Sequence, residues 1–338
     1  MGQRSSFFIL GVLSGGLLVS LLLAFVITSG EADSRESVRI LKLGHTLDRT
    51  HPVHEGMLYM KKRLEELSGG QMSLEIYPSS QLGGETQMME MLQSGELALT
   101  KTSAAPMEGF VPEMGVFGLP YVFRDRDHFW KVLDGDIGRD LLGKGVSKNL
   151  KGLCYYDAGS RNFYSIDRTI TKPADLKGLK IRVMNSQMAI QMVSAMGGAP
   201  TPIAWGELYS ALQQGIVDGA ENNPPSFVTN KHYEVCKHFS LDAHTRIPDM
   251  LMASAPIYDK LSPREQEWLQ KAAQESSVFQ RTLWQTKSDA ALKEMEEEHG
   301  VKVVKVDGAA FRDSVKSMVL GHKGTPVGDY FNLISEVK

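Results

Sequence analysis

Two segments far apart in the chain carry one pattern: MLQSGELAL at residues 91–99 and ALQQGIVDG at residues 211–219. In each, a helical end is stopped at a glycine two residues after a glutamine, and an apolar strand follows at once. A helix that hands over directly to a strand is a unit of an α/β layer, so two such units imply two α/β halves with a cleft between them. Nothing recurs at a fixed short period, which excludes a solenoid. The start of the folded part agrees. VRILKLGHT alternates as a strand, residues 53–67 read as an amphipathic helix closed by Ser68-Gly69-Gly70, and MSLEIYP is a second strand. This β-α-β order predicts a parallel sheet.

GLKIRVMNS, at residues 178–186, repeats the strand-to-helix change. Ile181 and Val183 share one face and Arg182 takes the other. Asn185 or Ser186 then caps a helix whose stripe is Ala189, Met192, Val193 and Met196. Arg182 is thus expected at a strand's carboxyl end, beside the free N–H groups of a helix start, a place suited to an anion. The alternative is an arginine paired with a structural carboxylate or simply solvated.

With 338 residues the chain is long enough for two domains, and a formal net charge of -3 gives no support to nucleic-acid binding or a polybasic membrane surface. Anion recognition must be local. Arg4 precedes an apolar run over residues 7–27, read as an export segment, either cleaved or retained as a single anchor, and residues 31–37 form a polar linker. Cys154 and Cys236 have no metal-ligand spacing and are expected as buried free thiols. Residues 262–299 read as one long helix with Ser262 as N-cap, followed by a strand at VKVVKVD and a closing helix at AAFRDSVKSM. The expected division is residues 38–158 with 248–285 as the first lobe, and 159–247 with 286–338 as the second.

No nucleophile elbow, P-loop, dinucleotide fingerprint or zincin motif is present, so neither catalysis nor a cofactor is expected. His51 and His54, with His45 nearby, lack the partners of a metal site, and no metal is expected. Polar groups concentrate instead at strand ends. Lys101, Thr102 and Ser103 close one strand, Arg161 follows GLCYY, and Glu221, Asn222 and Asn223 follow a strand at Ile216.

DLKGLKIRVMNS, PTPIAWGELYSALQQGIVDGAENNP, IYPSSQLGG and FGLPYVFRD, in their order along the chain, resemble the hallmark segments of the solute-binding subunits of tripartite ATP-independent periplasmic (TRAP) transporters, the DctP-type family. The resemblance covers essentially residues 38–338. It implies a periplasmic-binding-protein-like α/β fold of two lobes joined by crossing segments and a long helix, and a protein that captures an organic acid anion outside the cytoplasm for integral-membrane TRAP subunits. By position, Arg182 matches the arginine that binds the ligand carboxylate in two parallel bonds. Arg161 matches a second arginine on that carboxylate or its neighbouring hydroxyl, and Asn222 matches the asparagine that fixes the carboxylate side. Trp205 stands where the family often has a phenylalanine packed on the ligand. Thr46, Glu85, Thr102 and Ser103 fall where first-lobe residues often touch it.

A short dicarboxylate needs a second cation, for which Lys101 is the candidate, its direction left open by the alternation of its strand. The hydroxyls around it, Glu85 and the aromatic face of Trp205 suit a polyol better. The expected ligand is therefore a sugar acid, a hexuronate such as glucuronate or galacturonate or an aldonate, with a C4-dicarboxylate as the alternative. An exported enzyme and a sensor module are competing classes. A monomer is expected, a dimer through the long C-terminal helix being the other option.

Overall fold

The computed structural model describes residues 38–338; the export segment and linker expected before Val38 lie outside the described residues. Strands β1 (Arg39–Gly44), β2 (Met72–Tyr77), β3 (Leu99–Ser103), β4 (Leu150–Tyr156) and β10 (Asp249–Ser254) form a sheet in the order β2-β1-β3-β10-β4. Strands β5 (Arg161–Ser165), β6 (Lys180–Val183), β7 (Ala199–Pro202), β8 (Gly219–Asn222), β9 (His238–Thr245) and β11 (Lys302–Lys305) form a second, in the order β11-β9-β5-β8-β6-β7. Helices cover both sheets, giving the expected two-lobed α/β architecture. Ile40–Lys338 is one compact unit. Among the described residues no helix is long and apolar enough to cross a membrane.

Part of the first sheet is parallel as expected, β1 pairing parallel with β3, while β2 of the opening unit lies beside β1. The sheet as a whole is mixed, because β10 arrives from the other sheet through the short connection after β9 and runs antiparallel to both β3 and β4. The second sheet is mixed too, with β6 parallel to β7 and β8 while β5 is antiparallel to β8 and β9. The paired glycine stops behave as their sequence requires: Gly95 and Gly215 have φ of 80° and 69°, a left-handed conformation open to glycine at little cost. The strand after the second stop begins at Gly219, not at Ile216, so Glu221 and Asn222 lie within β8 and only Asn223 follows it.

The helix Pro263–Glu297 is continuous and starts with a capping box between Ser262 and Glu265. It lies against the helix Pro52–Leu67 and β4 on one side, and its far end places Met295 in a cluster with Phe227, Phe239 and Val301 of the second lobe. Its inward polar groups bind the chain as it leaves β4: Tyr156 and Ser276 hydroxyls lie 2.7 Å apart, and the Gln280 amide bonds both the N–H and the carbonyl of Asp157, each at 2.8 Å. Two residues on, Gly159 turns with φ +61°, and a Cβ there would stand 2.7 Å from Trp284 Nε1. Ser262→Ala is expected to cost about 1 kcal/mol through loss of the cap, measurable by denaturant unfolding.

The closing helix spans Ala309–Gly321. A further helix, Pro326–Glu336, was not expected; its Val327, Tyr330 and Ile334 pack among Phe117, Phe129 and Val132 of the first lobe, although its position in the chain had placed it with the second. Cys154 and Cys236 are free and buried, as expected.

Candidate ligand-binding site

A cavity of about 480 Å³ lies between the two sheets. Eight of the nine expected residues line it: Thr46, Glu85, Lys101 and Ser103 from the first lobe, Arg161, Arg182, Trp205 and Asn222 from the second. Thr102 does not. Alternation along β3 turns Lys101 and Ser103 to the cavity and the threonines away from it. Thr100 donates to Gly44 O at 2.9 Å and Thr102 to Ser103 O at 3.2 Å.

Arg161 opens β5 and its guanidinium is spent inside the protein. Nε and Nη2 meet the Glu221 carboxylate at 2.5 and 2.8 Å, and Nη1 donates to Asn222 Oδ1 at 2.9 Å. Behind Glu221 stands His244, 3.4 Å from it by Nε2 and 2.7 Å from Asp242 by Nδ1. Burial opposes charge on Arg161, Glu221 and His244, but Arg161 and His244 hold Glu221 down at about 2, and the two carboxylates raise His244 to about 9. Guanidinium, carboxylate, imidazolium and carboxylate thus alternate, and their charges cancel. Asn222 Oδ1 also accepts its neighbour's N–H at 2.9 Å, leaving the amide Nδ2 free to donate.

Arg182, on β6, is different. Its Nε donates to Ile203 O at 2.8 Å, but among the described residues Nη1 is buried without a partner and no carboxylate pairs with the group. Its guanidinium lies 5.6 Å from the Trp205 ring centre, and Trp205 Nε1 is likewise buried without a partner. Burial pulls the Arg182 pKa down to about 10, which leaves it charged at neutral pH. Both residues line the cavity, and a buried guanidinium N–H left without an acceptor is a costly arrangement that an oxyanion relieves. The helix start beyond Arg182 is not free for that anion. Ser186 caps it at Ala189 N (3.1 Å), and Glu108, from the first lobe, accepts from Ser186 Oγ and Met188 N at 2.6 and 3.3 Å.

On the first-lobe wall, Lys101 turns toward the cavity, which settles its direction, but as a clamped group. Its Nζ is 3.0 Å from Glu85 Oε1 and 3.1 Å from Asp249 Oδ1. Burial opposes its charge, and the two carboxylates overcome this and raise its pKa. Burial also pushes Asp249 up to about 6. Sequence reasoning missed Asp249 as a cavity residue. Its signal was a lone acid opening the apolar run DMLMAS, all six residues of which are buried.

The three histidines are engaged with each other and with caps. His45 Nε2 and His54 Nδ1 are 2.9 Å apart; His51 accepts from Val53 N and meets Ser226 Oγ of the other lobe at 3.1 Å. Among the described residues no group of three or more potential ligands is placed to hold a metal. Burial holds His45 and His232 at about 3, far below an unfolded value near 6.5. Their neutral forms therefore stabilise the fold above that value, and the contribution is lost as pH falls toward 3. At pH 5 each loses about 2 kcal/mol, His51 adding in the same direction. Asp249 and His244, whose folded pKa values are raised, return roughly half of this as pH falls from 7 to 5. The net expectation is a protein less stable at pH 5 than at pH 7 by about 2 kcal/mol or more, read by denaturant unfolding at both pH values.

Two lobes, a polar cleft between them and an unmatched buried cation inside it define the class: a protein that encloses a small anion. The family follows from comparison. Residues 43–322 match the family of bacterial extracellular solute-binding proteins, family 7 (DctP), and the chain belongs to it. It is a solute-binding protein of the TRAP transport type, in a family of periplasmic proteins that work with TRAP membrane components. A TRAP periplasmic solute-binding protein from Polaromonas sp. JS666, bound to D-erythronate, has a TM-score of 0.86 and 36% identity, covering 89% of this chain and 99% of that one. One from a Bradyrhizobium, in complex with α/β-D-galacturonate, has a TM-score of 0.85 and 35% identity, covering 88% and 100%. The 2,3-diketo-L-gulonate-binding periplasmic protein of Escherichia coli is 31% identical over 326 residues, 95% of this chain and 97% of that one.

Proposed function

We propose that the protein binds a monocarboxylic sugar acid, a hexuronate such as glucuronate or galacturonate or a related aldonate, and delivers it unchanged to the transporter's membrane subunits. The observation that carries this reading is Arg182, a buried guanidinium with an unpartnered Nη1 beside the equally unpartnered indole N–H of Trp205. A planar fork of donors fits a carboxylate, and the free amide of Asn222 supplies a further donor. The neighbours with bound erythronate and galacturonate support the ligand class. Against a C4-dicarboxylate stands Lys101, the one candidate for its second carboxylate, whose charge Glu85 and Asp249 already match. Against an enzyme stand the family and the solved neighbours, which are transport solute-binding proteins. We take the protein to act as a monomer on the outer face of the membrane, tethered there if residues 7–27 are retained.

Thermal melting of the purified protein with hexuronates, aldonates, C4-dicarboxylates, keto acids and sialic acid tests this, since a ligand of the native state raises the melting temperature. A shift with uronates or aldonates is expected. A shift confined to succinate or malate would transfer the assignment to the dicarboxylate class, and turnover of a uronate would make the protein an enzyme.

A further inference from the structure

The first-lobe wall of the cavity carries more acid than the binding of a carboxylate calls for. Glu85 begins the helix Glu85–Ser94, Lys101 and Ser103 come from β3, and Asp249 starts β10, directly opposite Ser103 in the antiparallel pair. All four line the cavity. Lys101 and Asp249 are almost fully buried, and Glu85 is 12% exposed. Two of the three ammonium protons of Lys101 are spent on Glu85 Oε1 and Asp249 Oδ1. Glu85 Oε1 also accepts from Ser103 N at 3.1 Å, fixing that carboxylate to the strand. Among the described residues the partners of these two carboxylates fall on Glu85 Oε1 and Asp249 Oδ1, and the second oxygens, Glu85 Oε2 and Asp249 Oδ2, have none. The wall therefore offers a ligand two acceptors and one remaining N–H, with one more negative than positive formal charge.

We propose that Glu85, Lys101 and Asp249 form a selectivity element that accepts the hydroxyl end of a sugar acid and repels a second carboxylate. This inference rests on the sugar-acid reading above and deepens it: Arg182 selects for one carboxylate, and the acidic wall selects against another. Hydroxyls donate to the two free carboxylate oxygens and accept from the spare lysine proton. A carboxylate there meets two like charges in a buried site and one cation already matched, and like charges juxtaposed in such a place discriminate strongly. Asp249 and Glu85 are thus specificity-determining, and Lys101 positions them.

Calorimetric titration of the full-length protein with D-galacturonate and with galactarate, its C6 dicarboxylic counterpart, tests the proposal in the parent and in Asp249→Asn and Glu85→Gln. Ligand-free melting curves check that each variant is folded, and the two variants change different elements, so misfolding of one leaves the other. The parent is expected to bind galacturonate and to discriminate against galactarate. Each variant should weaken galacturonate and shift the galacturonate-to-galactarate ratio toward the dicarboxylate by about tenfold or more, as the lysine becomes available. A parent that prefers galacturonate, with a ratio unchanged in both variants, would overturn the selectivity role alone. A parent that binds galactarate as well as galacturonate would overturn the selectivity role and the monocarboxylic part of the reading, and one that binds neither of them nor an aldonate such as D-erythronate would overturn the sugar-acid reading and the selectivity role with it.

Discussion

Arg182→Ala is expected to abolish uronate binding while leaving the protein folded. The guanidinium is the cavity's cation without a carboxylate among the described residues, and under the proposed function the ligand carboxylate is the partner of its free Nη1. Losing one member of a desolvated, hydrogen-bonded ion pair costs about 3–5 kcal/mol, against about 8 kcal/mol for a micromolar complex. Affinity should therefore fall from micromolar to millimolar or beyond in a calorimetric titration. Arg182→Lys is expected to recover little, since a point charge on a flexible stem reproduces neither the bond to Ile203 O nor the fork. The ligand-free variant should melt no lower than the parent, because what is removed is a buried charge with no matching anion. Retained micromolar binding in Arg182→Ala would contradict this role.

Glu221→Ala is expected to act in the opposite way, on stability first. Glu221 holds Arg161 through two bonds and stands against His244, all three buried. Its removal leaves a guanidinium and an imidazolium facing each other with only Asp242 to offset them, a loss of about 3–5 kcal/mol in denaturant unfolding. Glu221→Gln keeps the volume and one acceptor and should lose less. Because His244 is held charged by its carboxylates, removing Glu221 should also lower the pKa of His244 from about 9, which an NMR titration of its imidazole follows. A loss below about 1 kcal/mol in Glu221→Ala would show that the chain of charges is not what holds this wall together.

The sequence was most legible where local chemistry decides. The glycine stops at Gly95 and Gly215, the cap at Ser262 and the alternation that isolates Arg182 each follow from a single residue's conformational or hydrogen-bonding preference, and each stands in the structure where its residue put it. What could not be read is what distant segments do to one another. Nothing local says that Glu108 of the first lobe caps the helix start after Arg182, or that Pro326–Glu336 folds back onto the first lobe. The antiparallel entry of β10 likewise depends on a pairing between residues far apart in the chain. The same limit divides the site. Arg182, Arg161 and Asn222 were visible as strand-end groups supported by the family resemblance, whereas the clamping of Lys101 required Asp249, which reaches the cavity only through that pairing. Thr102 was lost to the simplest rule of all, the alternation of a strand whose direction no local signal fixed.

A crystal structure of the protein with D-galacturonate is the most direct measurement. The carboxylate is predicted to lie on Arg182, with one oxygen within hydrogen-bond distance of Nη1 and the hydroxyl end toward Glu85 and Asp249. A ligand whose carboxylate lies at Lys101, with Arg182 Nη1 still without a partner, would contradict it.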